Sequence, residues 1–356
     1  MSRQAKLGVI GAGWWATTAH LPSMVLNPQV DLVAVCDPSP VRAQAAAQNF
    51  GVPHSYTDVH AMLEAGGLDG VVVATPHTTH YDIVAAALHA GVGVLVEKPM
   101  ATTAEHAWAL VQIAAQTDTM LSVGLTYQYA PAARRVRTAV REEIGELVCV
   151  NAEFSSNTFS LFATTDPAKA NLDDPARPHG TTYSDPALSG GGQGQTQLTH
   201  ILGGLLWAAG DQATEVSAFM DNRSLAVDVV DALAFRLAGG ALCTTSSTGT
   251  TPPGAPVRHR IRFHGTTGVV EWDLLKADAW IYREGGIIEH VEHPVNRPSY
   301  AAREVSAAFA ALVLGDGPNL APADYAAASA ALIEASYHAA SSKRAEPVMQ
   351  GPLTSV

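Results

Sequence analysis

Short apolar runs alternate with alanine-rich stretches along the chain up to about Tyr127. The apolar runs are LGVI, DLVAVCD, GVVVAT, VGVLVEK and MLSVGLTY, and continuous apolarity of this kind is typical of strands that are covered on both faces. The stretches VRAQAAAQNFG, YDIVAAALHAG and TAEHAWALVQIAAQ lie between them and predict helices, two of which end at a glycine. This part of the chain therefore predicts a parallel, doubly wound α/β sheet.

The pattern changes after the helical stretch PAARRVRTAVREEIGE. Several of the segments LVCVNAEFSS, TEVSAFM, DALAFRL, ALCTTSST, VRHRIRFHG and GVVEWDL alternate apolar with polar residues, which predicts an antiparallel sheet with one buried and one open face. A long loop is expected over about residues 163–194, between the first and the second of these segments, and the alanine-rich helix ADYAAASAALIEASYHAAS ends the globular part. Because 356 residues are long for one hydrophobic core, we expect two domains, residues 1–124 and 125–356.

Charge and cysteine usage narrow the function classes. The formal net charge of -12 argues against a nucleic-acid or anionic-membrane partner, since such partners require a basic face. Three separated cysteines, Cys36, Cys149 and Cys243, lie in apolar runs and are expected to be buried thiols in a reducing compartment. No apolar stretch is long enough to span a bilayer and no signal-peptide pattern precedes the first strand, so we expect a cytoplasmic protein.

The first strand leads directly into the glycine pattern VIGAGWWA. Gly11 would make the tight strand-to-helix turn, Gly13 would let a pyrophosphate approach the backbone, and Ala16 would allow close helix packing. Phosphates bind well at the N-terminus of the following helix, because its free N–H groups and dipole favour an anion. The pattern predicts a dinucleotide site that includes Trp14 and Trp15.

Asp37 at the end of the second strand bears on which dinucleotide binds. At this spacing a carboxylate accepts hydrogen bonds from the adenosine ribose and repels a 2′-phosphate, so NAD is expected over NADP. Arg42 lies close enough to accommodate that phosphate if its side chain swings over. The alternative is that Asp37 only caps the turn.

Two further strand ends carry polar residues, in ATPHTTH and VEKPM. Ligands of open parallel sheets bind outside the carboxyl ends of the strands. We therefore expect cofactor contacts from Thr75, Pro76, His77, His80, Glu97 and Lys98. His77 and His80 are three positions apart but have no third ligand nearby, so no metal is expected, and His80 alternatively caps or packs the next helix.

Lys98 lies between a carboxylate and a proline at the end of a strand. A lysine held in this way can hydrogen-bond a substrate hydroxyl and stabilise the alkoxide that develops as hydride leaves carbon. The alternative is a surface lysine in a salt bridge.

The segments GVIGAGWWATTAHLP, ATPHTTH, ALHAGVGVLVEKPMA, GLTYQYAP and SDPALSGGGQGQTQLTH resemble the Gfo/Idh/MocA oxidoreductases in order and spacing, and the closing helix is similar as well. The resemblance implies an N-terminal Rossmann domain and a C-terminal α/β domain with a large, open, mainly antiparallel sheet through which subunits pair as dimers or tetramers. It implies nicotinamide-dependent oxidation or reduction of a secondary alcohol on a sugar or polyol. In this chain Lys98 would contact the reacting hydroxyl, His200 would accept its proton, and a cis peptide bond would precede Pro99.

The chain departs from the family pattern at three positions. The aspartate that usually follows the glycine run is replaced by Thr196, the glycine two residues further is replaced by Leu198, and Gln128 stands where an arginine is common. Thr196, as the residue paired with His200, offers only a hydroxyl, so His200 should remain neutral more easily and still be a competent general base.

The glutamines of GGGQGQTQLTH are spaced two residues apart. In an extended segment Gln193, Gln195 and Gln197 would share a face, whereas they would fan out if a helix begins near Thr196. Uncharged amides suit a neutral polyhydroxylated ligand, or else they bond the backbone at a helix start. The expected substrate contacts are Lys98, Tyr127, Gln128, Tyr129, Tyr183, Gln193, Gln197 and His200, with His179 as a weaker candidate and the first two tyrosines alternatively in the core.

Three functions follow from this reading. The leading hypothesis is a NAD-dependent sugar or polyol dehydrogenase. A second is a glycosidase that oxidises a ring hydroxyl transiently with tightly bound NAD, eliminates the aglycone and re-reduces the ring. A third is a dinucleotide-sensing protein without catalytic activity.

Overall fold

The computed structural model describes residues 3–163, 181–294 and 301–353. Six parallel strands form the first sheet in the order β3-β2-β1-β4-β5-β6. They are β1 (Ala5–Ile10), β2 (Val30–Cys36), β3 (His54–Tyr56), β4 (Gly70–Val73), β5 (Gly93–Val96) and β6 (Leu121–Val123). The strand order reverses between β1 and β4, and this switch point is where doubly wound sheets bind their ligands.

Helices cover this sheet, and three of them begin at side-chain caps. They are α1 (Leu21–Val25), α2 (Pro40–Phe50), α3 (Val59–Glu64), α4 (His80–His89) and α5 (Ala104–Gln116). A wider, π-helical turn over Ala16–His20 precedes α1. Ser39, Asp58 and Thr103 each accept a backbone N–H from the first turn that follows, which satisfies a donor the helix itself cannot.

Nine strands form the second sheet in the order β14-β13-β12-β11-β7-β10-β9-β8-β15, and all neighbours are antiparallel except β7 and β10. The strands are β7 (Leu147–Ser155), β8 (Ala213–Asp221), β9 (Val230–Leu237), β10 (Leu242–Thr248), β11 (His259–Gly265), β12 (Gly268–Asp273), β13 (Asp278–Arg283), β14 (Ile287–Val291) and β15 (Glu346–Pro347). Burial alternates along β9 and β10, so one face of the sheet is covered and the other is open.

The remaining helices connect the two sheets. They are α6 (Pro131–Thr138), α7 (Phe159–Ala163), α8 (Pro186–Ser189), α9 (Thr199–Ala209), α10 (Ala302–Leu314) and α11 (Ala323–Ser342). Helix α11 packs against α5, α9 and β8, and α10 packs against β1 and β5. A helix from the last third of the sequence therefore covers part of the first sheet, and one continuous core runs through both parts.

The structure confirms the predicted fold class, a parallel doubly wound sheet followed by a large, mainly antiparallel one. Elements were missed, among them β3, β13 and the two edge strands of the second sheet, β14 and β15. In β3 no residue is fully buried, so it has no apolar signal. The division at residue 124 stays a prediction. No helix in the described ranges is long and apolar enough to cross a membrane.

Candidate functional site

A cavity of about 750 Å³ opens at the carboxyl ends of β1, β2 and β4. Gly11 turns the chain there with φ of 96°, and a Cβ atom on it would lie 2.5 Å from the carbonyl oxygen of Ala74. A Cβ atom on Gly13 would meet no described atom within 4 Å and would extend into open space. The glycine pattern thus serves two purposes: Gly11 relieves a clash inside the protein, and Gly13 leaves room for a ligand.

Asp37 is buried at the rim of this cavity and already holds several protein groups. Its Oδ2 accepts the backbone N–H of Ala12 at 3.0 Å, and its Oδ1 accepts the backbone N–H of Ser39 at 2.9 Å and Nε of Arg42 at 3.0 Å. Both Asp37 and Arg42 line the cavity. The carboxylate therefore anchors the turn, while its contact with a ribose stays a prediction.

Glu97 is partly buried, lines the same cavity as Lys98 and His200, and accepts hydrogen bonds from three groups. Nε1 of Trp15 donates to its Oε1 at 2.8 Å, Nε2 of His20 donates to the same oxygen at 2.9 Å, and the backbone N–H of Lys98 donates to Oε2 at 3.2 Å. The hydroxyl of Ser306 contacts the other ring nitrogen of His20 at 2.9 Å. Burial alone would raise the pKa of Glu97, but the bonds from His20 and the charge of Lys98 outweigh it, so the pKa lies below its ordinary value.

Lys98 reaches from the end of β5 to the second part of the chain. Its Nζ donates to the backbone carbonyl of Thr196 at 2.8 Å, across a sequence separation of 98 residues. Burial lowers the pKa of Lys98, and the nearby carboxylate of Glu97 opposes that shift. The lysine is therefore not a surface residue in a salt bridge. An ammonium has three donors, so two remain for a ligand.

His200 lies at the start of α9 and lines a second cavity of about 290 Å³ together with Lys98. Its Nδ1 is buried and has no hydrogen-bond partner among the described residues, so the ring meets the cavity through Nε2. The ring of Phe154 lies parallel to it at 6.3 Å and the ring of Tyr127 meets it edge-on. Burial, then the positive charge of Lys98 and the proximity of His259, hold the pKa of His200 well below its usual value.

The segment before His200 is helical, so the three glutamines fan out. A π-helical turn over Gly194–Leu198 leads into α9. Gln193 bonds Ser247 and Thr158 in the interior, Gln195 bonds the carbonyl of Thr102, and Gln197 lines the second cavity. The helical alternative stated for this segment is the one that the structure adopts.

Thr196 contributes its backbone to the site. Its hydroxyl donates to the carbonyl of Gly192 one turn earlier, while its own carbonyl accepts from Lys98. The hydroxyl is thus engaged within the helix rather than with the imidazole of His200, whose Nδ1 stays unpartnered.

Several expected site residues are not brought to either cavity, among the residues that the structure describes. Gln128 is buried and donates to the carbonyl of Gly203, and the hydroxyl of Tyr129 bonds Ser122 and the carbonyl of Val123. Gln193 lies equally deep, with 0% exposure. These three residues lie in the interior, where each makes at least one hydrogen bond to the protein, although Oε1 of Gln128 has no partner among the described residues.

His80 and Tyr127 are also held by the protein. The two ring nitrogens of His80 lie 2.8 Å from the carbonyl of Pro99 and 2.9 Å from that of Thr75, so the ring joins two strand ends. The hydroxyl of Tyr127 donates to Nδ1 of His259, whose Nε2 donates to the carbonyl of Ser155. Tyr127 lies behind His200 and packs against it.

Trp14, Trp15, Thr75 and Tyr183 line both cavities, together with Ala74, and so connect them. Pro76 lines the larger cavity, and His77 lines the smaller one. His179 lies outside the described residues. The expected cis bond between Lys98 and Pro99 is present. Within the described ranges, no group of three or more His, Cys, Asp or Glu side chains is placed to hold a metal ion.

Sequence reasoning missed the residues that support the glycine run. Asp228 accepts the N–H groups of Gly192 at 2.8 Å and Gly194 at 2.7 Å, and the hydroxyl of Tyr337 at 2.6 Å. A Cβ atom on Gly192 would lie 2.0 Å from the carbonyl oxygen of Asp228. Nothing in the local sequence around Asp228 connects it with a segment 34 residues earlier.

Comparison with known proteins assigns both parts of the chain. Residues 5–125 match the GFO_IDH_MocA model, described as an oxidoreductase family with an NAD-binding Rossmann fold, and residues 133–271 match the GFO/IDH/MocA C-terminal domain. The chain is 34% identical to D-apiose dehydrogenase of Paraburkholderia graminis over 140 residues, which are 39% of this chain and 37% of that protein. It is 32% identical to D-glucoside 3-dehydrogenase of Escherichia coli over 152 residues, 42% of this chain and 43% of that protein. The matches thus span less than half of these curated relatives.

Solved structures show the same fold over nearly the whole chain. An oxidoreductase domain protein from Kribbella flavida superposes with a TM-score of 0.82 at 21% identity, covering 98% of this chain and 100% of that one. Levoglucosan dehydrogenase in complex with NADH and levoglucosan gives a TM-score of 0.82 at 18% identity, with the same coverage of 98% and 100%.

The two glycines of the turn should respond differently to alanine. Gly13→Ala should fold with unchanged stability but weaken NAD binding by roughly tenfold or more, because its methyl group occupies the open space beside the turn. Gly11→Ala should lower the melting temperature as well, because of its positive φ and the clash with Ala74. Thermal unfolding and titration with NADH measure both effects. Normal NADH affinity in Gly13→Ala would show that the dinucleotide does not approach this turn.

Proposed function

This chain belongs to the GFO/IDH/MocA oxidoreductase family, and from that membership we propose that it is a NAD-dependent dehydrogenase acting on a secondary hydroxyl of a neutral sugar, polyol or sugar derivative. The observation that carries the proposal is the continuity of the two cavities. The smaller cavity holds Lys98 and His200 and shares Trp14, Trp15 and Tyr183 with the larger one. A dinucleotide along the glycine turn would therefore end beside these two side chains.

The larger cavity suits a dinucleotide. Gly13 leaves open space at the turn, Asp37 and Arg42 lie at the end where a ribose would bind, and two tryptophans line the opposite end. When bound, the nicotinamide supplies the hydride acceptor.

Lys98 is the residue that would hold the reacting hydroxyl. Its contact with the carbonyl of Thr196 fixes the ammonium and leaves two N–H donors, which can bond the hydroxyl and stabilise the oxyanion as negative charge develops. Partial burial strengthens this interaction, because the surroundings have a lower effective dielectric constant than water.

His200 would accept the proton of that hydroxyl. A lowered pKa keeps the imidazole neutral near physiological pH, as a base requires, but also makes it a weak base. Lys98 compensates in part, because its charge lowers the pKa of a hydroxyl bound to it and so makes the proton easier to remove.

The neutral character of the substrate follows from the cavity. Its one carboxylate, Glu97, is engaged by Trp15 and His20, and its other polar side chains include His77, Thr158 and Gln197. Aromatic rings of Trp14, Trp15 and Tyr183 suit the apolar face of a sugar ring.

We also propose that subunits pair as dimers or tetramers through the open face of the second sheet. Phe219 on β8 is 82% exposed and Leu242 on β10 is 53% exposed, so this face carries large apolar side chains. A cytoplasmic location is proposed as well, and three unpaired cysteines, two of them buried, support it.

The direct test is a panel of neutral substrates with NAD: D-xylose, D-apiose, myo-inositol, levoglucosan and methyl glucosides. At least one should produce the absorbance of reduced nicotinamide, and Lys98→Ala should lower kcat by roughly a hundredfold to a thousandfold, since it removes the oxyanion donor. Lys6→Ala, which changes an exposed lysine of β1, is the matched control. Release of nitrophenol from a nitrophenyl glucoside without net reduction of NAD would instead identify the glycosidase, and no turnover on any arm would contradict both.

The pH dependence of kcat/KM tests His200. Because the working form is the neutral ring and its pKa is lowered, activity should persist below pH 6.5, the ordinary pKa of histidine. Thr196→Asp should raise the pKa of His200 and move the acid limb to higher pH by roughly one unit, because a carboxylate stabilises the imidazolium. Thr196→Asn has the same size without the charge and should leave the limb in place. If wild type, Thr196→Asp and Thr196→Asn all have the same acid limb, His200 does not take part in the proton transfer.

Cofactor choice tests Asp37. Asp37→Asn should raise the ratio of kcat/KM for NADP over NAD by roughly tenfold, because it removes a negative charge and frees Arg42 for the 2′-phosphate. The amide oxygen can still accept the N–H of Ala12. Adding Arg42→Ala to this variant should cancel the gain. An unchanged ratio in Asp37→Asn would show that Asp37 does not contact the adenosine ribose.

A further inference from the structure

His77 is an imidazole whose tautomer the protein fixes. Its Nδ1 lies 2.9 Å from the backbone carbonyl of Ser189, and a carbonyl oxygen can only accept. Nδ1 therefore carries the proton, and Nε2 of the neutral ring presents a bare lone pair. Nε2 has no hydrogen-bond partner in the parts of the chain that the structure describes.

His77 lines the smaller cavity, which holds the candidate catalytic residues, and not the larger one that we propose for the dinucleotide. It lines the smaller cavity with Lys98 and His200, and it is absent from the described lining of the larger cavity, although its neighbour Pro76 lines it. The ring of Tyr183 meets it edge-on at 5.9 Å, which holds its plane. A cavity of about 290 Å³ is small for a ligand site, so groups bound by His77 and Lys98 would belong to one ring.

The other histidines nearby cannot play the same role. Both ring nitrogens of His80 face backbone carbonyls, and those of His259 contact Tyr127 and Ser155. His200 meets the cavity through Nε2 as well, but no described residue fixes its tautomer, since its Nδ1 has no partner in the ranges that the structure covers.

We propose that His77 determines substrate specificity: its Nε2 accepts a hydrogen bond from a second hydroxyl, on a carbon next to the one that is oxidised. The site then selects substrates with hydroxyls on both carbons. This inference rests on the proposed dehydrogenase function and names a binding role for a residue that the sequence grouped with the cofactor.

Chemistry at His77 also explains which substituents are rejected. A carboxylate or a carbonyl at the second carbon would direct lone pairs at the lone pair of Nε2, and neither can donate a hydrogen bond. Protonation of the ring would relieve this conflict, but burial, followed by the charges of His80 and Lys98, lowers the pKa of His77 to about 3. His77 therefore stays an acceptor at neutral pH and favours a donor hydroxyl.

Two substitutions of His77 separate the role of Nδ1, which bonds Ser189, from the role of Nε2 as an acceptor. Asparagine places its amide N–H₂ near the position of Nδ1, so His77→Asn keeps the bond to Ser189 and loses the acceptor at Nε2. Glutamine reaches the position of Nε2 with its amide oxygen, so His77→Gln keeps an acceptor for the substrate. A role in packing alone predicts the opposite ranking, because only asparagine preserves the bond to Ser189.

The experiment measures binding and turnover separately. The probe is the panel member that NADH-loaded protein binds most tightly by calorimetry, with its monodeoxy analogues at the carbons beside the oxidised one. His77→Asn should raise KM and the dissociation constant for the parent sugar by roughly tenfold, with kcat changed by less than about threefold. For the analogue that lacks the recognised hydroxyl, wild type and His77→Asn should be equal, and His77→Gln should resemble wild type with the parent.

The outcomes distinguish this proposal from the proposed function. Sugar binding with the expected pattern but no reduction of NAD would remove the dehydrogenase and keep only the binding of one sugar hydroxyl by His77. Turnover with equal losses on parent and deoxy sugars, or a loss confined to NADH affinity, would overturn the role of His77 and leave the dehydrogenase standing. Absence of binding by every panel member would overturn both.

Discussion

The hydrogen bond from Nζ of Lys98 to the backbone carbonyl of Thr196 connects the two halves of the molecule at the site. Lys98 lies two residues after β5 of the first sheet, and Thr196 lies in the turn that leads into α9, which packs on the second sheet. A buried ammonium without an acceptor would be costly, so the two segments must meet for the lysine to be accommodated. The carbonyl of Thr196 holds the ammonium of Lys98 at the cavity without bringing a negative charge there. The two remaining N–H groups of the ammonium stay available.

Each side of this contact has its own support. On the first sheet, Ser306, His20 and Trp15 hold Glu97, which in turn accepts the backbone N–H of Lys98. On the second, Asp228 and Tyr337 hold the glycine run, and a side chain at Gly192 would collide with the backbone of Asp228. The glycines are therefore required by protein packing more than by a ligand. Asp231 lies close by, and burial, followed by the charge of Asp228, raises its pKa above the ordinary value.

Local patterns were sufficient to predict elements that are long or strongly apolar, such as β2, β5 and α11. They also singled out Gly11, Gly13, Lys98 and His200, which line the two cavities, while the functional roles of these residues stay predictions. Local patterns could not show whether a side chain points into a cavity or into the protein interior. Tyr129, Gln128 and Gln193 stand in the quoted motifs, yet each turns inward because a buried partner exists that only the folded chain supplies. Asp228 could not be found at all, since its role depends on a contact across the fold. The directions of the three glutamine side chains depended on whether their segment is a strand or a helix, and the sequence left both alternatives open.

The replacement of the usual aspartate by Thr196 leaves the imidazole of His200 without a carboxylate partner among the described residues. Nδ1 of His200 is buried and has no partner within the described parts of the chain, and the rings of Phe154 and Tyr127 pack against it. Thr196, one turn earlier, directs its hydroxyl back to Gly192. For Nε2 to act as a base, Nδ1 must carry the proton, and that N–H is then unsatisfied in an apolar setting. The opposite tautomer buries a bare lone pair and turns Nε2 into a donor. Nε2 of His200 can therefore be a donor or an acceptor, whereas the carbonyl of Ser189 fixes Nε2 of His77 as an acceptor. The pair can bind two neighbouring hydroxyls, or a hydroxyl and the carbonyl that replaces it, without any change in net charge, and this suits a reaction that interconverts those groups.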